Sequence, residues 1–304
     1  MVTLHSPRRF DMVSPFVRRQ RLAAVLRELR EERGMLADEL AKRIHYSRTK
    51  ITRLENAYGR PDVGDVVKIL DALEVPDDQW SQIVRLASAA AAKGWWDSYG
   101  DAMGARQRLY ADLESGADTI REYNDTSIPG LLQTPEFSDA LVKVKRVEGP
   151  LSFSPKRMTE ARQRRQQSVL CPDGPTFDVI LDEVVVRRIN VPVGIMAAQV
   201  HHVVNLMTSE PRLNVRVLPV DARIEGVSIP RSAFFLYTFP DSADPPIAVV
   251  ETPSADLVYA ESGEVKQHTK IYQLLGKAVL SSEESLTCLA EAAEQLTREA
   301  GLDG

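Results

Sequence analysis

Cysteine is scarce: the 304 residues hold two, Cys171 and Cys288, far apart and without a CxxC pair. That excludes a disulfide framework and a cysteine-built zinc cluster, and it fits a reducing interior. Long apolar runs are missing as well. No stretch approaches the ~18 residues that a membrane span needs, and the opening MVTLHSPRRF lacks the apolar core of a secretory signal. A cytoplasmic location with no membrane partner is the expectation. Phosphate loops are absent too: there is no GxGxxG, and Ile271 stands where a loop ending in Gly276-Lys277 needs glycine. His201 and His202, adjacent on an expected helix, diverge by about 100° and cannot face one metal. Cys171 precedes Pro172 in an expected loop, with no helix start to acidify it. Asp182, Glu264 and Lys266 have the residue types of a metal-dependent nuclease, but the last two fall on an expected helix, where carboxylates are mostly solvated. No convergent catalytic set remains, so the chain reads as a non-enzyme with no cofactor and no metal.

The formal net charge is −5, which argues against non-specific coating of nucleic acid. Its distribution says more. Residues 8–60 hold 14 Lys+Arg against 7 Asp+Glu, whereas the remainder holds 24 against 36. A basic head on an acidic body suits engagement of DNA by one end only.

Within the basic part, residues 36–56 (LADELAKRIHYSRTKITRLEN) read as helix, tight turn and second helix. Leu40, Ala41 and Ile44 recur at helical spacing. His45-Tyr46 breaks the pattern, and Ser47 can cap the next helix. There Ile51 and Leu54 point inward, leaving Arg48, Thr49, Lys50, Thr52 and Arg53 outside, while Glu55 is expected to pair within the domain. Such short helices need company. It comes from Leu22, Val25, Leu26 and Leu29 in a helix over 17–33 ended by Gly34, from Val63, Val66, Val67, Leu70 and Leu73 before Pro76, and from Trp80, Ile83, Val84 and Ala87 in a helix over 77–92 capped by Asp77. Five helices with this central pair have the geometry of a helix-turn-helix, whose second helix enters the DNA major groove.

Residues 18–75 resemble a Cro/cI-type (XRE-family) helix-turn-helix domain, through LRELREERG, LADELAKRI, SRTKITRLENAYGRPD and LDALEV in that family's order and spacing. The resemblance implies base contacts by Arg48, Thr49 and Arg53. It implies contacts to the DNA backbone by Ser47, Lys50, Thr52 and Asn56. Two departures stand out: Leu36-Ala37 replaces the usual Thr-Gln, removing one phosphate contact, and His45 replaces the usual turn glycine. One recognition helix reads only a few base pairs, so double-stranded DNA would be read by a homodimer on half-sites roughly 34 Å apart.

Residues 1–16 are expected to be a loose tail in which Arg8 and Arg9 are uninvolved, 17–92 the DNA-binding head, and 93–304 a mixed α/β domain with a small sheet and flanking helices. The fold class expected is thus α followed by α/β. Trp95-Trp96 is expected to pack between head and body. A helix is expected over 106–123, a turn at 127–130, and another helix opened by Thr134-Pro135-Glu136. Strands are expected over 177–181, 213–218, 233–239 and 247–251, with helices over 193–207, 262–280 and 282–300. The basic run 156–165 (KRMTEARQRR) is expected to be a solvated helix face rather than a DNA clamp. The segments GWW, IPGLLQTPEFSDAL, FDVILDEVVVRR, AAQVHHVVNLM, LNVRVLP, FFLYTFPD, VVET and SSEESL resemble a domain of unknown function from actinobacterial regulators, over residues 94–290. That resemblance implies an antitoxin-like regulator whose second domain binds a small co-encoded partner protein or an effector. The rival reading is a ligand-binding or enzymatic α/β domain tethered to DNA; a pocket lined by converging polar groups would favour it.

Overall fold

The computed structural model describes residues 13–148, 154–226, 228–252, 255–260 and 262–302. The expected tail lies outside these residues up to position 12, Arg8 and Arg9 included. Its last residues are not loose, because Ser14 caps the first helix with its hydroxyl on the Val17 amide at 3.2 Å. The head consists of α1 (Pro15–Glu32), α2 (Ala37–Arg43), α3 (Arg48–Glu55), α4 (Val63–Ala72) and α5 (Asp77–Ala91). Each buries the stripe its spacing dictates: Leu22, Leu26 and Leu29 meet Leu40, Ile51, Val66, Leu70 and Ala87 in one cluster. In α5 the cap position falls on Pro76, not Asp77, which sits in the first turn where its charge complements the exposed amides.

The body begins with a kinked 3-10 segment, Trp95–Met103, then α6 (Ala105–Gly116) and β1 (Thr119–Asn124). The expected helix over 106–123 therefore stops short and turns into a strand. Gly116 passes so close to Ser14 that an added Cβ would lie 2.4 Å from its backbone nitrogen, and the β-branched and aromatic residues Thr119, Ile120 and Tyr123 then suit a sheet. A 3-10 turn at Gly130–Leu132 leads to α7 (Pro135–Glu148), whose Thr134 cap accepts from the Phe137 amide at 3.2 Å. There follow α8 (Pro155–Val169), β2 (Thr176–Asp182), α9 (Val184–Arg187), α10 (Val193–Ser209), β3 (Leu213–Leu218), β4 (Phe234–Thr238), β5 (Ile247–Val250), β6 (Leu257–Tyr259), α11 (Ser262–Leu275) and α12 (Ser282–Leu302). The four expected strands are present; β1 and β6 are additional.

The strands form one six-stranded mixed sheet in the order β3-β2-β1-β4-β5-β6. β1, β2 and β3 run parallel, while β4 lies antiparallel to β1 and β5 and β6 continue antiparallel. Alternation divides each strand between two layers. Ile120, Val179, Val215 and Tyr237 face the helices α10 and α12, which supply Met196, Val200, Leu289 and Leu296. Tyr123, Ile180, Phe234 and Leu236 face α11, which supplies Val265, Tyr272 and Leu275. Among the described residues no helix is long and apolar enough to cross a membrane.

The basic run on α8 is a solvated face only in part: Lys156, Arg157 and Arg164 are exposed, whereas Arg162 and Arg165 turn into the body. Arg165 is 3% exposed and holds Glu114, itself 2% exposed, with both carboxylate oxygens engaged. Arg162 bonds Gln133 and, at 2.9 Å, Ser138; burial, aided by the neighbouring Arg165 charge, lowers its pKa to about 10. Arg164 lies over the Trp95 ring at 4.6 Å. Trp96 packs with Met103, Ala111 and Ala161, so the tryptophan pair belongs to the body rather than to the seam with the head. Large aromatics and guanidinium planes stack well, and α6 and α8 offered the nearest surface. On β1, Glu122 is fully buried; one oxygen accepts from Asn124 at 2.9 Å and the other has no partner. Burial, reinforced by the nearby Glu251 and Glu114 charges, pushes its pKa up to about 8.

Head and body share α1. Phe16 and Val17 enter the body's core, while Leu22 onward serves the head. Asp112 accepts from the Ser14 hydroxyl at 2.6 Å and the Phe16 amide at 2.9 Å. The β4–β5 turn places Asp241 3.1 Å from Arg18 and 2.6 Å from Arg21, with Asp244 at 3.2 and 3.3 Å. Arg60 adds a bridge to Asp97 at 2.5 Å.

Candidate nucleic-acid interface

The candidate surface is α3 and its rim. The Ser47 hydroxyl accepts from the Lys50 amide at 3.2 Å, satisfying one unpaired donor at the helix start. Ile51 is buried, which fixes the rotation of α3 and turns Arg48, Thr49, Thr52 and Arg53 outward, all four exposed. That brings every expected base-reading residue onto one open face. The turn before it runs through His45 at φ 55°, and the Tyr46 amide reaches back to the Ala41 carbonyl at 2.8 Å. His45 thus takes the left-handed conformation that glycine adopts without steric cost. At the start of α2, Glu39 accepts from the Leu36 amide at 2.8 Å, so the helix is capped although Leu36 has no capping side chain; that side chain is 66% exposed.

Glu55 does pair internally. Arg30 on α1 grips both its oxygens, at 2.6 and 2.9 Å, and both side chains are nearly out of water. That pair holds α3 on α1, and the Glu55 hydrogen bond raises the Arg30 pKa above its ordinary value. It also removes the one carboxylate that would repel phosphate from this helix.

The expected backbone contacts are less open. The Lys50 ammonium lies 2.7 Å from Asp65 and 3.9 Å above the Tyr46 ring. The Asp65 bond raises the Lys50 pKa. Although partial burial acts the other way, bonds from Lys50 and the Tyr46 hydroxyl hold Asp65 below the usual carboxylate range. A phosphate at Lys50 must share its charge with Asp65. The Asn56 amide is spanned as well, accepting from Arg27 at 3.0 Å and donating to the Thr52 carbonyl at 2.6 Å. Two residues enlarge the surface that the sequence motif indicated. Lys68 also approaches the Tyr46 ring, at 5.2 Å, and Tyr58 stands 68% exposed just beyond α3. An aromatic amid basic residues after the second helix was the visible signal for Tyr58; Lys68 needed the α4 packing to be placed.

Elsewhere, Asp182 serves a turn, accepting from the Val184 amide at 3.0 Å, and Glu264 and Lys266 lie on α11. Among the described residues no cluster of histidine, cysteine and carboxylate groups is placed to hold a metal.

A serine-capped, basic second helix held outward on a five-helix scaffold is the arrangement of a helix-turn-helix protein, the class that binds DNA. Residues 21–83 match the helix-turn-helix domain family. Residues 107–291, more than half of the chain, match a domain of unknown function, DUF5753, and the chain belongs to that family. No curated protein and no solved structure matches it.

Proposed function

We propose that this chain is a sequence-specific transcriptional regulator of the Cro/cI (XRE) type, reading DNA as a homodimer in the cytoplasm. Its body would receive a small co-encoded partner protein or an effector, in the antitoxin-like arrangement of actinobacterial regulators. The protein would act by binding and not by catalysis. The observation that carries the reading is the outward face of α3, where Arg48, Thr49, Thr52 and Arg53 are exposed together around a buried Ile51. Arginine on a recognition helix can pair with guanine through two hydrogen bonds, and threonine can bond either base or phosphate. The basic head and acidic body orient the encounter, because the phosphate backbone draws one end and repels the other.

The test is a titration of the purified protein against duplex from its own upstream region, at two salt concentrations, with random duplex as control. Tight, steeply salt-dependent binding to the upstream duplex alone supports a specific autoregulator. Equal weak binding to both duplexes, unchanged when the co-encoded partner is added, refutes specific recognition by this head. Sedimentation of the complex gives the stoichiometry, and one chain per operator would refute the dimer.

A further inference from the structure

The acidic body carries a concave surface of the opposite sign. Between the sheet layer facing α11 and α11 itself lie two adjoining hollows of about 280 and 270 Å³, which share Arg121, Thr269 and Gln273. Four cations line them: Arg121 from β1, Arg216 from β3, and Lys266 and Lys270 from α11. Among the described residues no carboxylate lines either hollow. Asp178 lies on the same sheet layer in register with Arg121, so its carboxylate offsets part of the cationic charge; it accepts from Asn214 at 3.2 Å, and its carbonyl accepts from Tyr272 at 3.0 Å. The Arg216 guanidinium is half-buried; its Nη1 reaches the Gly276 carbonyl at 3.5 Å, whereas its Nε is sealed from solvent without a hydrogen-bond partner. A buried guanidinium donor left unmet costs stability unless something accepts from it. The first hollow continues onto apolar ground at Leu236, Pro246 and Val265.

Two arginines from parallel strands, backed by two flexible lysines, match a planar or tetrahedral oxyanion, for which guanidinium is the better-suited cation. The apolar extension matches a hydrocarbon portion on the same molecule. The combined size is that of a small-molecule site. The wall is also placed to report occupancy. Thr238 and Pro246 line the first hollow and are the two ends of the β4–β5 turn, whose Asp241 and Asp244 hold Arg18 and Arg21 of the head. A ligand pressed against those ends acts on the clamp that sets the head on the body.

We propose that this basic hollow binds a small amphiphilic anion, a phosphate or carboxylate bearing an apolar group, and that the β4–β5 turn couples its occupancy to the DNA-binding head. The binding site stands independently of the DNA-binding proposal; the coupling rests on it.

Isothermal titration of the full chain in phosphate-free buffer with hexyl phosphate, inorganic phosphate and hexanol tests the site. Hexyl phosphate should bind more tightly than either of the others. Arg216→Gln should weaken it about tenfold, the scale of one charge-assisted contact. Lys270→Gln, on an exposed residue whose loss leaves the fold intact, should weaken it several-fold and flatten its salt dependence. Hexanol binding as tightly as hexyl phosphate, or unchanged affinity in both variants with unchanged circular dichroism, overturns the site. Inorganic phosphate binding as tightly as hexyl phosphate overturns the amphiphile assignment. Saturating hexyl phosphate should then change affinity for the upstream duplex by about fivefold or more, an effect absent in Asp241→Asn/Asp244→Asn. Ligand binding without any change in DNA affinity overturns the coupling alone. Absence of DNA binding with and without the probe overturns the proposed function and the coupling, and leaves the titration to decide the site.

Discussion

Replacing Glu122 with glutamine should stabilise the protein, and more so as pH rises. Glu122 sits in the central strand, sealed from water, with Asn124 as the partner of one oxygen and none for the other. Its surroundings are Glu114, Glu251 and Arg165, of which Arg165 is already committed to Glu114. Burial thus raises the folded pKa to about 8 from an ordinary 4.5. Between those values the unfolded chain has released the proton and the folded chain retains it, so unfolding becomes easier as pH rises. Each pH unit in this window costs about 1.4 kcal/mol for one proton, and at pH 7 the accumulated penalty is of order 3 kcal/mol. Below pH 4.5 the penalty vanishes, and above pH 8 it levels off. Glutamine keeps the shape and never ionises. Urea midpoints at pH 5, 6, 7 and 8, read through Trp96 in the body, should therefore show variant and wild type converging at pH 5. They should separate steadily toward pH 8. Since the other titrating groups are common to both proteins, parallel profiles would refute the reasoning and mean that Glu122 is ionised and compensated in the folded chain.

Four further predictions concern the head. Glu55→Ala leaves Arg30 buried without its partner and should cost about 3 kcal/mol, measured as a lower urea midpoint; a loss under 1 kcal/mol would show that α3 does not depend on this pair. His45→Gly relieves a left-handed residue and should raise stability by about 1 kcal/mol, and a lowered melting temperature would contradict that. In DNA binding, Arg48→Ala or Arg53→Ala should each cost roughly 1–3 kcal/mol and relax specificity at one position per half-site. Lys50→Ala should weaken every duplex about equally, and by less than a free phosphate contact because Asp65 already holds the ammonium. Equal losses on cognate and random duplex for all three variants would remove the division of labour.

The head was legible because its signals are local. Ser47 and Asp62 cap the helices that follow them, and the Leu22–Leu26–Leu29 stripe lies within three turns of one helix. Glu55 could be assigned to an internal pair simply because phosphate would repel it. The body resisted where meaning depended on distant partners. β1 reads TIREYN, in which charged residues interrupt any alternation, and only its neighbours β2 and β4 make it central. Arg165 looks like one more surface charge until Glu114, far back in the chain, folds beneath it. The basic hollow draws Arg121, Arg216 and Lys270 from three separated elements, so no window of sequence contains it.

The sharing of α1 has a consequence for the order of events during synthesis. The head can gather its own leucines soon after it leaves the ribosome, since chains fold from the N-terminus as they emerge. The first turn of α1, however, waits for Asp112, and its clamp waits for Asp241 and Asp244, which are made after more than three-quarters of the chain. A nascent head therefore lacks the contacts that fix its bearing on the body. That bearing is set last, by residues encoded more than two hundred positions later.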